Sequence, residues 1–337
     1  MEVQVDPNSW NASLRACHGT IFHTAEWGRY VQAEGPDAIP EFLTLLAGDG
    51  SVAGQCLVFH SRSSRSLASS FTGRRWLDAL PAVRDNTPTS VSDLIHLIER
   101  HARQAGDVSF QVGSFASPNS EAVLKPLGFS ITGRYEFELD LSRDEKHLWE
   151  CIDKRRRQRI GKAKKNGVEV SEFPADEGVL HLRRLQAKSF TRIAARGGPA
   201  LEGRESAGDD PVAILTGSGF GRVVGGFVDG VCVSANFFTT FNGAAYYMLS
   251  GHDAIALETH APSLVLWETA RRFKGEGIRR LNLGGCRIEA VDGSSPEHGV
   301  YVFKKSFGGT TIECGNGEKV LRPAAQRAAN LLKAAMR

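Results

Sequence analysis

The chain has 337 residues, more than one ordinary domain needs and enough for two cores of about 150 residues each. Its formal net charge of +3 is too small to mark a nucleic-acid binder by bulk charge. The six scattered cysteines show no CxxC or CxxH spacing, which excludes an obvious zinc site or disulfide framework. No apolar run approaches the roughly 20 residues of a membrane span, and the first residues lack a signal peptide's basic start and apolar core. A cytoplasmic protein without metal is the expectation.

In chain order, the first half is mixed α and β. Glu41 to Ala47 is a short apolar strand, Gly48-Asp49-Gly50 a turn, and Val52 to Phe59 the returning strand. From Ser92 to Ala105, Leu94, Ile95, Leu97, Ile98 and Ala102 keep helical spacing, and Gly106 ends the helix. Val108 to Val112 follows as a strand, Ser120 to Leu127 as a short helix and Tyr135 to Leu141 as another strand. Leu148 to Lys165 is a strongly basic helix candidate. Further on, Phe220 to Val228 and Val231 to Thr239 form a hairpin about Asp229-Gly230, and Ala245 to Leu249 is a strand. Ser263 to Lys274 is helical, Gly277 stops it, and Arg280 to Leu283 is a strand. Pro323 to Met336, rich in alanine, is a closing helix with proline suited to its first turn.

The halves repeat. Ser92 and Ser263, Gly106 and Gly277, and Gly113 and Gly284 are each 171 positions apart, and the hairpin, helix, strand and short helix recur in the same order. A supersecondary unit repeated at domain length implies duplication of one fold.

That order belongs to the acetyltransferase (GNAT) fold. Such a fold normally holds the acyl-CoA pyrophosphate in a Gly-rich turn before its central helix, where backbone N–H groups face the anion. The second half has Ala254-Ile255-Ala256-Leu257-Glu258-Thr259-His260-Ala261-Pro262 there, without glycine and with an acid; the first has Asp85-Asn86-Thr87-Pro88-Thr89. Both are poor CoA sites.

The most distinctive text is Asn282-Leu283-Gly284-Gly285 followed by Tyr301-Val302-Phe303-Lys304-Lys305-Ser306-Phe307. It resembles the Leu-Gly-Gly strand end and Tyr-x-Phe-Lys-x-x-Phe segment of the Fem family. Phe22 to Trp27, Leu148-Trp149 with Arg159 to Ala163, and Tyr246 to Gly251 resemble further family segments in the same order. The resemblance covers nearly the whole chain. It implies an α/β protein of two tandem GNAT-like domains with mixed central sheets, the C-terminal segment completing domain 1. The domains are expected at 1–145 with 318–337 and at 146–317. It also implies transfer of an aminoacyl group from aminoacyl-tRNA to an amine, without cofactor, by a monomer. The acceptor would be a peptidoglycan precursor peptide, some members using nucleotide-linked forms, or a related natural product. The stretch from Gly178 to Pro211 has no room for the helical-hairpin arm of some members, so the chain resembles the arm-less ones.

The resemblance carries roles residue by residue. Lys304 would stabilise the oxyanion formed when an amine attacks an ester; as a bare sequence feature it is an exposed lysine at a strand end. Tyr247 would line the acceptor groove, or be a core aromatic. Phe303 shares the Lys304 motif as a substrate-side or packing residue. Arg29, two positions after Trp27, would contact a diphosphate, for which an arginine fork is suited, or lie on a helix surface. Arg192 and Arg196 flank a Gly/Pro-rich loop that either holds substrate or is idle. Lys154 to Lys165 has eight basic residues in twelve and no acid, so Arg155, Arg156, Arg159 and Lys162 are candidates for tRNA phosphate contact or form a solvated basic helix. Two rivals remain open: an acyl-CoA N-acyltransferase of cell-envelope or polysaccharide synthesis, and a duplicated-fold RNA-binding protein with a vestigial site.

Overall fold

The structure, a computed structural model, describes residues 6–61, 73–85, 87–195 and 210–335. They divide into two compact units: the first runs to Arg134 and resumes at Glu313, and the second spans Tyr135–Ile312.

Unit 1 opens with helices α1 (Pro7–Ala16) and α2 (Ala25–Glu34). Asp6 caps α1 by accepting from the amides of Asn8 and Ser9, and Thr24 caps α2 by accepting from Trp27, so both starts are set by side chains that satisfy orphan helix donors. The antiparallel hairpin of β1 (Ile39–Leu46) and β2 (Val52–Ser61) turns through Gly50 at φ +81°, a conformation glycine adopts without strain. β3 (Arg74–Leu77), β4 (Ala82–Val83), α3 (Pro88–Gln104), β5 (Ser109–Val112), α4 (Ser120–Leu124) and β6 (Ser130–Asp140) follow. The apolar stripe Leu94, Ile95, Ile98 and Ala102 of α3 packs on Cys56, Val58, Leu77, Phe110 and Val112 of the sheet.

Unit 2 contains α5 (Glu145–Cys151), α6 (Lys154–Lys165), β7 (Glu169–Glu172), α7 (Ala175–Ala194), α8 (Pro211–Gly217), β8 (Gly221–Val228), β9 (Val231–Phe241), β10 (Ala244–His252), α9 (Ala254–Glu258), α10 (Ala261–Gly275), β11 (Arg280–Arg287) and α11 (His298–Lys305). β12 (Thr310–Val320) leads back into unit 1, and α12 (Pro323–Ala335) follows it. The unit 2 core gathers Phe238 of β9, Val265, Leu266 and Phe273 of α10, and Leu281 and Leu283 of β11.

The two units share one plan. In each, a hairpin is joined antiparallel by a third strand, and a helix leads to a strand parallel to that third one: β3 lies between β2 and β5, β10 between β9 and β11. End strands are exchanged. β12 pairs antiparallel with β5 in the unit 1 order β1-β2-β3-β5-β12, and β6 stands beside β11 in the unit 2 order β6-β11-β10-β9-β8-β7. The mixed sheets and the returning C-terminal segment are as the sequence implies.

Two local expectations need correction. The basic stretch is two helices, not one: Ile152 is extended (ψ 133°) with its side chain buried, and the Asp153 amide donates to Ser306 O at 2.9 Å. A tertiary bond thus outweighs local helix propensity. Lys304 stands not at a strand end but in the last turn of α11, half-buried.

Candidate active site

The site grows from the place where two parallel strands part. β10 and β11 pair over three positions, ending at Tyr246 opposite Asn282. Glu136 of β6, 2% exposed, fastens that point: Tyr246 Oη donates to its Oε1 at 2.5 Å and Asn282 Nδ2 to its Oε2 at 2.7 Å. Beyond it, the Gly284 amide turns to Asn282 Oδ1 at 2.7 Å, and Gly284 takes φ +71°. At the equivalent place in unit 1 the strands stay stitched, with the Gly113 amide on Leu77 O at 2.6 Å and that of Phe115 on Asp78 O at 3.1 Å. Asp78 is half-buried and holds Trp27 Nε1 at 2.8 Å; burial raises its pKa to about 6.

Lys304 stands over the unit 2 opening. Its Nζ donates to Gly285 O at 3.0 Å, and a Cβ on Gly284 would lie 3.1 Å from that Nζ and 3.1 Å from Tyr247 O. Only glycine combines this backbone turn with so close a lysine. Tyr247 is 8% exposed, stacks on Phe238 at 5.0 Å, and burial raises its phenol to about 12, so it remains a neutral hydrogen-bonding group. Lys305 instead turns along its own helix to Tyr301 Oη at 2.8 Å.

Arg156 fixes α11. It is 5% exposed, its Nε donates to Ser306 Oγ at 2.8 Å and its Nη1 to Ser263 Oγ at 2.8 Å, and its guanidinium lies 4.4 Å from the centre of the Phe303 ring. The expectation that Arg156 faces a tRNA phosphate is therefore corrected: the side chain is inside, and Phe303 is its stacking partner. Arg156→Met is expected to lower the unfolding free energy by about 2–4 kcal/mol, through the lost hydrogen bonds to Ser263 and Ser306 and a lost cation–π contact. Arg155→Gln, on the exposed face, should change it by no more than about 0.5 kcal/mol; urea melts of both check this.

The same arginine fills the helix end where a GNAT fold would hold a pyrophosphate. Ala261, Pro262 and Ser263 of the first turn of α10 are buried, Pro262 has no amide hydrogen, and Arg156 occupies Ser263. At the α3 start, Asp85 accepts from the Thr87 amide at 3.2 Å and Ser90 Oγ at 2.7 Å, placing a carboxylate where an anion would bind.

The remaining candidates are dispersed. Arg155, Arg159 and Lys162 form an exposed stripe on α6 with no acidic partner among the described residues, and Arg159 and Lys162, after burial, help lower the pKa of His260. Lys164 pairs with Glu268 at 2.9 Å. Arg29 is exposed on α2 of unit 1, 3.9 Å from Glu26. Arg192 is engaged structurally: its Nη1 donates to His252 O at 2.9 Å, tying α7 to the end of β10. Arg196 lies outside the described residues. Sequence reasoning missed Glu136, whose signal was an acid inside the apolar strand Tyr135 to Leu141.

Two duplicated α/β units with exchanged end strands and a lysine at the parting of the second parallel pair define a tandem GNAT-like protein. The chain matches the crystal structure of FemX with a TM-score of 0.78 at 12% identity, covering 98% of this chain and 100% of that one. L-PGS from Bacillus licheniformis aligns with a TM-score of 0.58 at 14% identity, covering 97% and 96%. Residues 227–334, which include β9 to α11, match the model of the FemAB family. No curated protein matches. No helix among the described residues is long and apolar enough to cross a membrane.

Proposed function

We propose that the protein is an aminoacyltransferase that moves an amino acid from aminoacyl-tRNA to the amine of a peptidoglycan precursor peptide or a related acceptor. The observation that carries this reading is Lys304 over the opening between β10 and β11, inside the segment that matches the FemAB family model. The acceptor's amine attacks the ester carbonyl, the carbonyl oxygen gains negative charge, and the C–O bond to the tRNA ribose breaks as the amide forms. The amine's proton leaves with the ribose oxygen. The ester is already activated, so the protein's work is to position the reactants and stabilise the oxyanion. Lys304 supplies the fixed positive charge, and Glu136, through Tyr246 and Asn282, holds the strand ends that present it. Tyr247 and Phe303 wall the site, and Arg29 is kept as the diphosphate contact. Arg155, Arg159 and Lys162 supply phosphate contacts for the tRNA body.

The rival acyl-CoA reading is disfavoured by the first turn of α10, which is buried and in which Pro262 has no amide hydrogen to offer a pyrophosphate. Transfer from a mixed pool of charged tRNAs to candidate amines is expected to vanish with ribonuclease and to ignore acetyl-CoA. Ribonuclease-resistant transfer that needs acetyl-CoA would refute the proposal.

A further inference from the structure

One thiol of the chain faces solvent. Cys17, Cys56, Cys232, Cys286 and Cys314 are buried, and burial raises the thiols of Cys56 and Cys232. Cys151 is exposed in the last turn of α5. His147, also exposed, stands four residues earlier, and that spacing puts both side chains on one face of the helix. His147 Nε2 lies 3.5 Å from Cys151 Sγ.

The backbone fixes the pair from both ends. Asp144 caps α5 by accepting from the His147 amide at 2.7 Å, and the helix closes with the Ile152 amide on Trp149 O at 3.2 Å. Gly308 packs directly against Cys151, since a Cβ on it would collide with Cys151 O. His147 and Cys151 border a cavity of about 180 Å³ in unit 2, whose walls include Glu138, Asp140, Arg143 and Gly309. That is room for a few waters, each of which takes roughly 30 Å³. Arg143 is held by Asp140, with Nε 3.1 Å from Oδ2. Glu138 has no hydrogen bond or ion pair among the described residues, and burial raises its carboxyl. A cation in the cavity would favour its charged form.

Thiolate and imidazole are the ligands that zinc-class ions prefer. Bonds of about 2.3 Å to sulfur and about 2.0 Å to nitrogen, set at a tetrahedral angle, put the two ligand atoms about 3.5 Å apart. The pair already stands at that separation. No three of His, Cys, Asp and Glu among the described residues form a complete set, so the other two positions fall to water in the cavity.

We propose that His147 Nε2 and Cys151 Sγ bind a divalent ion of the zinc class, with water completing an open tetrahedral site. The thiol proton is released to solvent as the ion binds, and the thiolate sulfur and the imidazole nitrogen each donate an electron pair. With two protein ligands the affinity should fall short of a four-ligand structural site, on the order of micromolar. The site is independent of the aminoacyl-tRNA reading.

The probe is Co²⁺ on the reduced full chain, because thiolate-to-cobalt charge transfer absorbs in the near ultraviolet and tetrahedral cobalt in the visible. Titration should give both bands at one ion per chain, and Zn²⁺ should bleach them by displacement. Cys151→Ser should abolish the charge-transfer band, and His147→Ala should weaken Co²⁺ binding at least about tenfold. Both side chains are exposed, so the variants should fold, which circular dichroism checks. Absence of the bands in the wild-type protein overturns the proposal and leaves the contact as a thiol–imidazole hydrogen bond. A band that survives Cys151→Ser overturns it by placing the ion on another thiol. Unchanged affinity in His147→Ala overturns it by reducing the site to a single thiolate.

Discussion

Lys304→Met is expected to cut the turnover number at saturating substrates by on the order of a hundredfold or more, with the fold intact. The ammonium is half-buried, hydrogen-bonded to Gly285 O at 3.0 Å and set beside Gly284, so its charge is preorganised and needs no reorientation as the oxyanion forms. Methionine keeps the length and apolar stem of lysine, so α11 should retain its packing through Phe303, Phe307 and Arg156. The loss should fall on kcat more than on KM, because the interaction strengthens only as charge develops. Lys305→Met is the control; it removes a solvent-side contact to Tyr301 and should cost severalfold at most. Steady-state kinetics of both variants, with circular dichroism melts, decide the matter. Wild-type turnover in Lys304→Met would end the electrostatic assignment.

Replacing Arg155, Arg159 and Lys162 together by Gln should weaken binding of all tRNAs about equally. The three are exposed on one side of α6 without acidic partners among the described residues, so their charge is available to phosphates. Each true phosphate contact releases condensed counterions, and its loss lowers the slope of log affinity against log salt by roughly one unit. Up to about three units should disappear, with an affinity loss of about tenfold to a thousandfold at low salt that shrinks as salt rises. A donor reduced to an aminoacylated acceptor stem should suffer less if the contacts lie beyond the acceptor end. Filter binding across a salt series measures this. Unchanged affinity and slope would leave α6 as a solvated basic helix.

Local chemistry made much of this fold legible in the sequence. The hairpin turns at Gly50 and Gly230, the α3 stripe from Leu94 to Ala102 and the stop at Gly277 each depend on neighbours within a few residues, and each stands where the sequence puts it. The repeat of 171 positions reported the duplication, because the same local pattern folds the same way twice. Lys304 was legible as motif text. Its helical setting was not, since Tyr301-Val302-Phe303 is equally a strand by composition.

Only the tertiary structure decided the rest. The break at Ile152 depends on an amide of Asp153 meeting Ser306, and the burial of Arg156 depends on Phe303, Ser263 and Ser306, all more than a hundred residues away. Among eight basic residues in twelve, nothing local distinguishes the one that turns inward. Glu136, Tyr246 and Asn282 come from three separate strands and become a unit only when β6 takes its place beside β11. Asn236 is an ordinary polar residue in the sequence; only the tertiary packing buries it, with its Nδ2 lacking a hydrogen-bond partner among the described residues. Sequence thus determined what short-range periodicity, turns and caps can encode, while burial and long-range partnership, set by which surfaces meet, determined the site.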